Sequence, residues 1–191
     1  THQRSDEAQR LPVVRLYVGI LGAVAALIVG QLVALDVPLD PGPSGRIPAL
    51  LFAVLLFIGE TQPRLWMRWG DQAQITPGWA FAYAVVLVGS PLGAVIAVVL
   101  THLYTDVRHR KGALKIAFNA SQVAVSLSCS ALVLHVFGVD DGILDIEHLP
   151  VQSAIGILIG GIVTFVVNGA LLTIVISLHQ GVPVRSFVNR S

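Results

Sequence analysis

Long apolar runs separated by short polar turns organise this chain. The apolar runs cover residues 13–35, 47–59, 79–104, 116–139 and 151–178. At 1.5 Å per residue, the first, fourth and fifth runs are each long enough for a helix across a hydrocarbon core of about 30 Å. Between the second and third runs, the polar and aromatic residues of segment 65–77 alternate around a Gly-Asp pair, which predicts a short hairpin or an interfacial loop.

The third apolar run is broken by Gly89-Ser90-Pro91, and this break decides the predicted topology. As one helix, the run would place the basic segment 108–115 on the opposite side of the membrane from the preceding basic loop. As two short helices, it brings every Lys and Arg except Arg46 to one side, which the positive-inside rule makes cytoplasmic. We therefore predict an all-α integral membrane fold, a six-helix bundle with a short helical hairpin over residues 79–104 and both termini cytoplasmic.

The same patterns divide the chain into three parts. We expect residues 1–12 to form a cytoplasmic N-terminal segment, residues 13–184 the six-helix transmembrane domain, and residues 185–191 the start of a cytoplasmic linker. The chain begins with Thr1 rather than Met and ends soon after an apolar run, so we expect it to be a piece of a longer protein, or its ordered part.

Composition narrows the function classes. Hydrophobic residues make up 54% of the chain and charged residues 12%, with a mean hydropathy of +0.77, whereas soluble domains carry about 25% charged residues. The net charge of +1 argues against a nucleic-acid partner. Cys129 is the one cysteine, so no intrachain disulfide and no zinc site of paired thiolates can form. With no Walker loop and no catalytic triad pattern, we predict neither enzymatic activity, nor a metal, nor a cofactor.

The fourth run carries a polar face. Asn119, Gln122, Ser126 and Ser130 recur at helical spacing and so share one side of a helix. An amide that faces lipid would leave donors and acceptors unpaired, so this face must point into the bundle. Two interpretations stay open: the face hydrogen-bonds to neighbouring helices, or it lines a polar pocket for a ligand.

Residues outside this run complete the candidate pocket. Glu60 ends the second run, where an intramembrane carboxylate indicates function and an ion pair with Arg64, one turn later, is an equal alternative. Helix rise places Gln122 and Asn168 at similar depth, so we expect both to face one polar space in the cytoplasmic half, with Glu60 at its mouth. The candidate ligand-binding residues are therefore Glu60, Asn119, Gln122, Ser126 and Asn168.

Small residues form two stripes that predict close helix packing. The stripe of the fifth run recurs every four residues, and a weaker one lies on the first run. Their members are Gly156, Gly160, Thr164 and Asn168 in the fifth run, and Gly19, Ala23, Ala26 and Gly30 in the first.

Several phrases in a fixed order resemble a known family over about residues 49–184. They are the short helix ending in Glu60, the hairpin-like segment, Gly89-Ser90-Pro91, a second short helix ending in Asp106, the basic turn Arg108–Lys111, Phe118-Asn119-Ala120-Ser121-Gln122, and Val167-Asn168-Gly169-Ala170-Leu171. This order resembles the N-terminal multi-pass membrane region of bacterial proteins that carry GGDEF, EAL or HD-GYP output domains.

The resemblance implies a sensory or regulatory input domain in the bacterial cytoplasmic (inner) membrane. Such a domain controls an attached cytoplasmic output domain that makes or degrades cyclic di-GMP. Its partners are the lipid bilayer, the output domain, a second copy of the chain in a homodimer, and an unidentified small molecule or lipid. The matching polar positions are Glu60, Asp106, Asn119, Gln122 and Asn168.

A competing resemblance is to the substrate-binding S-components of bacterial vitamin importers, which also have six helices. It rests on Val88-Gly89-Ser90-Pro91-Leu92-Gly93 before a short helix ending in Thr105-Asp106. Importers often display Ala-x-x-x-Ala at the start of the first helix for their coupling partner. This chain lacks that pattern there, which favours the regulatory interpretation.

Overall fold

Helices dominate the architecture because a backbone that crosses lipid must pair its own N–H and C=O groups. The computed structural model describes residues 2–37, 39–40, 42–62, 67–69, 73–75, 78–88, 91–139, 149–181 and 183. These residues form six helices: α1 (His2–Ala34), α2 (Gly42–Thr61), α3 (Gly78–Leu87), α4 (Pro91–Arg108), α5 (Ala113–Val136) and α6 (Val151–Gln180). The predicted all-α six-helix fold is confirmed. Within the described residues, four helices are long and apolar enough to cross a membrane: residues 10–34 of α1, and α2, α5 and α6.

A small β-hairpin joins α2 to α3. Strand β1 (Met67–Trp69) pairs antiparallel with β2 (Ala73–Ile75), and Arg68 lies opposite Gln74. The sequence predicted a hairpin or an interfacial loop here, and the strands are those of a hairpin. The Gly70-Asp71 pair between them lies outside the described residues.

The third apolar run forms two antiparallel helices, as the charge pattern predicted. The first of them, α3, ends at Leu87, and α4 begins at Pro91, where proline is favoured because the first helical residue needs no N–H donor. Trp79 at the start of α3 lies beside His102 near the end of α4, with ring centroids 6.4 Å apart. The chain therefore returns to the end of the bundle from which α3 began.

The central element is α5. It packs against α1, α4 and α6, while α2 packs against α3 and α4. Its side chains are buried on several faces, including Leu127 and Ser126, which are fully buried. Because protein surrounds α5, its polar residues meet other helices rather than lipid.

The N-terminal half of α1 and the C-terminal end of α6 lie at the same end of the bundle. The Arg10 guanidinium of α1 donates a hydrogen bond to the Gln180 carbonyl of α6, and the Tyr17 hydroxyl donates to the Leu171 carbonyl at 3.3 Å. Gly181 closes α6 in the left-handed conformation, with φ of 67°, which suits glycine because it has no Cβ. We call this end, which holds Arg10 and Gln180, the terminal end.

At the opposite, distal end, Arg46 forms an ion pair with Asp40. The Arg46 guanidinium donates to both carboxylate oxygens of Asp40, at 3.1 and 2.5 Å, and this hydrogen bonding lowers the pKa of Asp40. Both side chains are exposed, so the pair contributes little to stability. The pair instead affects the charge at the distal end. Arg46 is the one basic residue predicted on this side of the membrane, and Asp40 neutralises it. Residues 140–148, which hold four acidic side chains between the fourth and fifth apolar runs, lie outside the described residues.

The small-residue stripe of α6 packs against α5, as predicted. Gly156, Gly160 and Thr164 are buried, and a Cβ on Gly156 would overlap the Phe137 side chain. Ser130 of α5 donates its hydroxyl to the Gly160 carbonyl at 2.9 Å. The absence of a side chain at Gly156 and Gly160 lets the two helices approach closely.

The weaker stripe of α1 does not pack against any other helix that the structure describes. The prediction of close helix packing is therefore wrong for this stripe within the chain. All four of its residues are exposed, and nothing lies within 4 Å of a Cβ placed on Gly19 or Gly30. Instead, α1 buries a bulkier face, because larger aliphatic side chains fill the groove beside α5 better. The buried residues are Val14, Val18, Leu21, Ala25 and Leu32.

Replacing Gly160 with leucine is expected to lower the free energy of unfolding by about 1–3 kcal/mol, the usual cost of overpacking. A Cβ there would lie 2.9 Å from the Tyr83 hydroxyl oxygen and 3.0 Å from Ser130 Oγ. Gly169→Leu is the matched control, because nothing lies within 4 Å of a Cβ on Gly169 in the same helix. Thermal unfolding in detergent measures both, and equal losses would mean that the α5–α6 contact is placed wrongly.

Candidate functional site

Asp106 is the centre of a polar arrangement at the terminal end. It lies in the last turn of α4, and its side chain is only 2% exposed. Its two carboxylate oxygens accept separate hydrogen bonds, one from Lys111 Nζ at 2.5 Å and one from Asn119 Nδ2 of α5 at 2.7 Å. A buried carboxylate is tolerated only when it is paired and hydrogen-bonded, and Asp106 has both kinds of partner.

The turn between α4 and α5 brings Lys111 back to Asp106. Arg110 adopts the left-handed conformation, with φ of 53°, and the Lys111 N–H donates to the Asp106 carbonyl at 3.0 Å. A helix continued through Lys111 would carry its side chain around to another face. The tight turn instead places the ammonium group over the carboxylate.

Glu60 and His102 extend this arrangement towards α2 and α3. Glu60 is 6% exposed, and a Cβ on Gly78 would overlap its carboxylate. Its charge therefore lies at the first residue of α3, where the helix dipole favours an anion. His102 is partly buried, lies one turn before Asp106 on α4, and has its ring centroid 6.4 Å from that of Trp79, the residue after Gly78. We call Glu60, His102, Asp106, Lys111 and Asn119 the polar cluster.

A second polar contact joins α5 to α6. The Gln122 side-chain amide donates to Asn168 Oδ1, and Gln122 is buried. Gln122 lies one turn beyond Asn119 on α5, so one helix carries a contact to α4 and a contact to α6. Ser126 donates its hydroxyl to the Gln122 backbone carbonyl at 2.8 Å, inside α5. Such a bond satisfies a buried hydroxyl locally.

The five predicted site residues thus fall into two groups. The structure brings Gln122 and Asn168 together with Ser126 beside them, as the depth estimate predicted. It places Asn119 and Glu60 in the polar cluster instead. The alternative partner proposed for Glu60, Arg64, lies outside the described residues. Whether any of these residues binds a ligand stays a prediction.

The list of candidate pocket residues omitted three members of the polar cluster, His102, Asp106 and Lys111, although the resemblance named Asp106 among the matching polar positions. The i, i+4 spacing of His102 and Asp106 at the end of an apolar helix was a usable signal, since ionisable residues at membrane depth usually have a function. Lys111 gave no such signal, because its position depends on the left-handed turn at Arg110.

The chemistry available at the cluster is hydrogen bonding and charge rather than metal ligation. Among the described residues, no three His, Cys, Asp or Glu side chains are placed to hold a metal ion. The cluster instead combines carboxylate acceptors with ammonium and amide donors from three helices, α2, α4 and α5, and from the turn between α4 and α5. Such a set responds to any change that moves one of those helices or alters one of those charges.

An apolar groove of about 480 Å³ lies elsewhere, between α3 and α6. The Tyr83 hydroxyl at its base donates to the Ile157 carbonyl at 2.5 Å. None of the five predicted site residues lines it. The lining residues are Tyr83, Ile157, Leu158, Gly161, Ile162, Phe165 and Val166. The groove opens towards the surface that faces lipid and is separate from the polar cluster.

Comparison with known proteins identifies the family. The MASE9 family profile matches residues 49–191, which include most of α2 and everything that follows it. No curated protein and no solved structure matches the chain. MASE families are membrane-associated sensor domains of cyclic-di-GMP signalling proteins and are not catalytic. The match confirms the resemblance to the membrane regions of such proteins and makes the chain a multi-pass, membrane-associated sensory input domain. With three quarters of its length matched, the chain belongs to the MASE9 family.

Proposed function

We propose that this domain controls an attached cytoplasmic output domain that makes or degrades cyclic di-GMP, in the inner membrane of a bacterium. One observation carries the proposal. The buried polar cluster is connected through α5 to α6, the helix from which the chain continues towards residue 191. A signal that rearranges the cluster therefore has a physical connection to the end of the domain.

The connection has three steps. Asp106 of α4 accepts a hydrogen bond from Asn119 of α5. One turn further along α5, Gln122 donates a hydrogen bond to Asn168 of α6. From Asn168 to Gln180 is about 18 Å of helix at 1.5 Å per residue. Helix shifts of about 1–2 Å are typical of transmitted conformational changes. A shift of α5 that is set by the charge state or occupancy of the cluster would displace α6 by a similar distance.

Charge favours a cytoplasmic location for the terminal end. Arg10 and Arg15 lie in the first half of α1, and four further basic residues lie between positions 108 and 115. At the distal end, Arg46 is neutralised by Asp40. The positive-inside rule then orients the domain so that α6 delivers the following chain to the cytoplasm, where cyclic-di-GMP enzymes act.

Gln122→Leu in the full-length protein tests the proposal. We expect cyclic-di-GMP output to change by about fivefold or more, the range for allosteric couplings of 1–3 kcal/mol. The stability loss in detergent should stay near 0.6 kcal/mol, the average for a hydrogen bond between membrane helices. Gln31→Leu is the matched control, because Gln31 lies on an exposed face of α1.

Two outcomes contradict the proposal in different ways. A stability loss with unchanged output would make the Gln122–Asn168 contact structural only. A full-length protein that neither makes nor degrades cyclic di-GMP would refute the assignment of the output domain.

A further inference from the structure

The turn between α4 and α5 concentrates positive charge at the terminal end. The basic residues of this turn and of the two helix ends that flank it, which we call the basic turn, are Arg108, Arg110, Lys111 and Lys115. No acidic residue occurs between positions 107 and 115. Lys111 is neutralised by Asp106. Arg110 and Lys115 are exposed, and neither forms an ion pair with any residue that the structure describes.

The basic turn directly continues a surface suited to lipid. On α4, Leu100, Tyr104 and Val107 are exposed up to the residue before Arg108. The Tyr104 ring lies 5.4 Å from the Phe57 ring, and Arg108 Nη1 donates to the Tyr104 hydroxyl at 3.2 Å. Tyrosine rings are enriched at the membrane–water boundary. The pair of Tyr104 and Arg108 therefore marks the level at which hydrocarbon gives way to headgroups, and Arg110 and Lys115 lie just beyond it.

We propose that the basic turn binds the anionic headgroups of phospholipids. Arg108, Arg110 and Lys115 present cationic donors that match phosphate oxygens, and the guanidinium groups can bind a phosphate in bidentate fashion. The turn that carries Arg110 is fixed, because the Arg110 N–H donates to the Val107 carbonyl at 3.0 Å and the Lys111 N–H to the Asp106 carbonyl. The competing occupant is an acidic surface of an attached domain. Continuity with the apolar face of α4 favours lipid.

The test uses the full-length protein in neutral detergent and compares its binding of dioleoyl phosphatidylglycerol with that of dioleoyl phosphatidylcholine, titrated by native mass spectrometry. We expect the wild type to prefer phosphatidylglycerol, and the double variant Arg110→Gln, Lys115→Gln to lose affinity for it by about fivefold per cation, or roughly 30-fold. Arg46→Gln at the distal end is the control and should keep the preference. Because Arg110 and Lys115 form no ion pair within the part of the chain that the structure describes, the double variant should fold normally.

Several results would overturn the proposal. These are equal binding of the two lipids by the wild type, an unchanged preference in the double variant, or an equal loss in Arg46→Gln. Displacement of phosphatidylglycerol by millimolar inorganic phosphate would point to a free-phosphate site instead. A photo-crosslinker at position 110 that reacts in membranes with protein beyond residue 191, rather than with lipid, would assign the surface to the attached domain. None of these readouts depends on cyclic-di-GMP output, so this proposal and the proposed function can fail separately.

Discussion

Replacing Lys111 with methionine is expected to lower the free energy of unfolding by about 3 kcal/mol. The change removes the cation but leaves the Asp106 carboxylate buried, and breaking a buried pair in this way typically costs about 3–5 kcal/mol. The lower end applies because the Lys111 side chain is 41% exposed, so that water can partly reach the carboxylate. Lys115→Met is the matched control, since Lys115 is exposed four residues further along and pairs with no described residue.

A double-mutant cycle separates this effect from a general loss of charge. Asp106→Leu alone should cost about 1–3 kcal/mol, because it leaves the Asn119 amide without its acceptor while Lys111 turns to solvent. Lys111→Met combined with Asp106→Leu should then be no less stable than Asp106→Leu alone. Chemical unfolding in detergent measures the free energy of unfolding of the two single variants and the double variant. If Lys111→Met and Lys115→Met were equally mild, Lys111 would not be the residue that compensates the buried charge.

Stability alone does not explain the polar cluster. A buried ion pair is often no more stabilising than apolar residues of the same volume, and an ionisable group at membrane depth is usually functional. The cluster forms a hydrogen bond from α5 to α4, and the neighbouring Gln122–Asn168 contact forms one from α5 to α6. This distribution suits a domain whose helices must change position together.

The helices were predictable because lipid leaves the backbone few alternatives. Residues 116–139 and 151–178 became α5 and α6 with shifts of a few residues at their ends. The start of α1 was missed by eleven residues, since the helix begins at His2 and the apolar run at Val13. Polar residues can continue a helix beyond the hydrocarbon layer, and hydropathy does not detect them.

The candidate site was predictable only where helix geometry decides it. Gln122 and Asn168 meet because the rise per residue and the direction of two long helices fix their depths. The approach of Glu60 to Gly78 depends instead on how the β-hairpin returns the chain to α3. The pair of Lys111 and Asp106 depends on one residue with positive φ. Contacts of this kind follow from turns, which periodicity does not describe.

We propose that the polar cluster lies at the cytoplasmic end of the domain, where α6 leads to the proposed output domain. Single cysteines at Asp40 in the distal end and at Gly112 in the turn after α4 test it, in a Cys129→Ala background. Gly112 is exposed and has nothing within 4 Å of a Cβ, so a cysteine fits there. Intact cells are treated with a membrane-impermeant maleimide, and opened membranes serve as the control.

We predict that the cysteine at position 40 is labelled in intact cells, and that the cysteine at position 112 is labelled only after the membrane is opened. Labelling at position 112 in intact cells would place the polar cluster and the exit of α6 outside the cytoplasm, and would contradict the proposed route from the cluster to a cytoplasmic output domain.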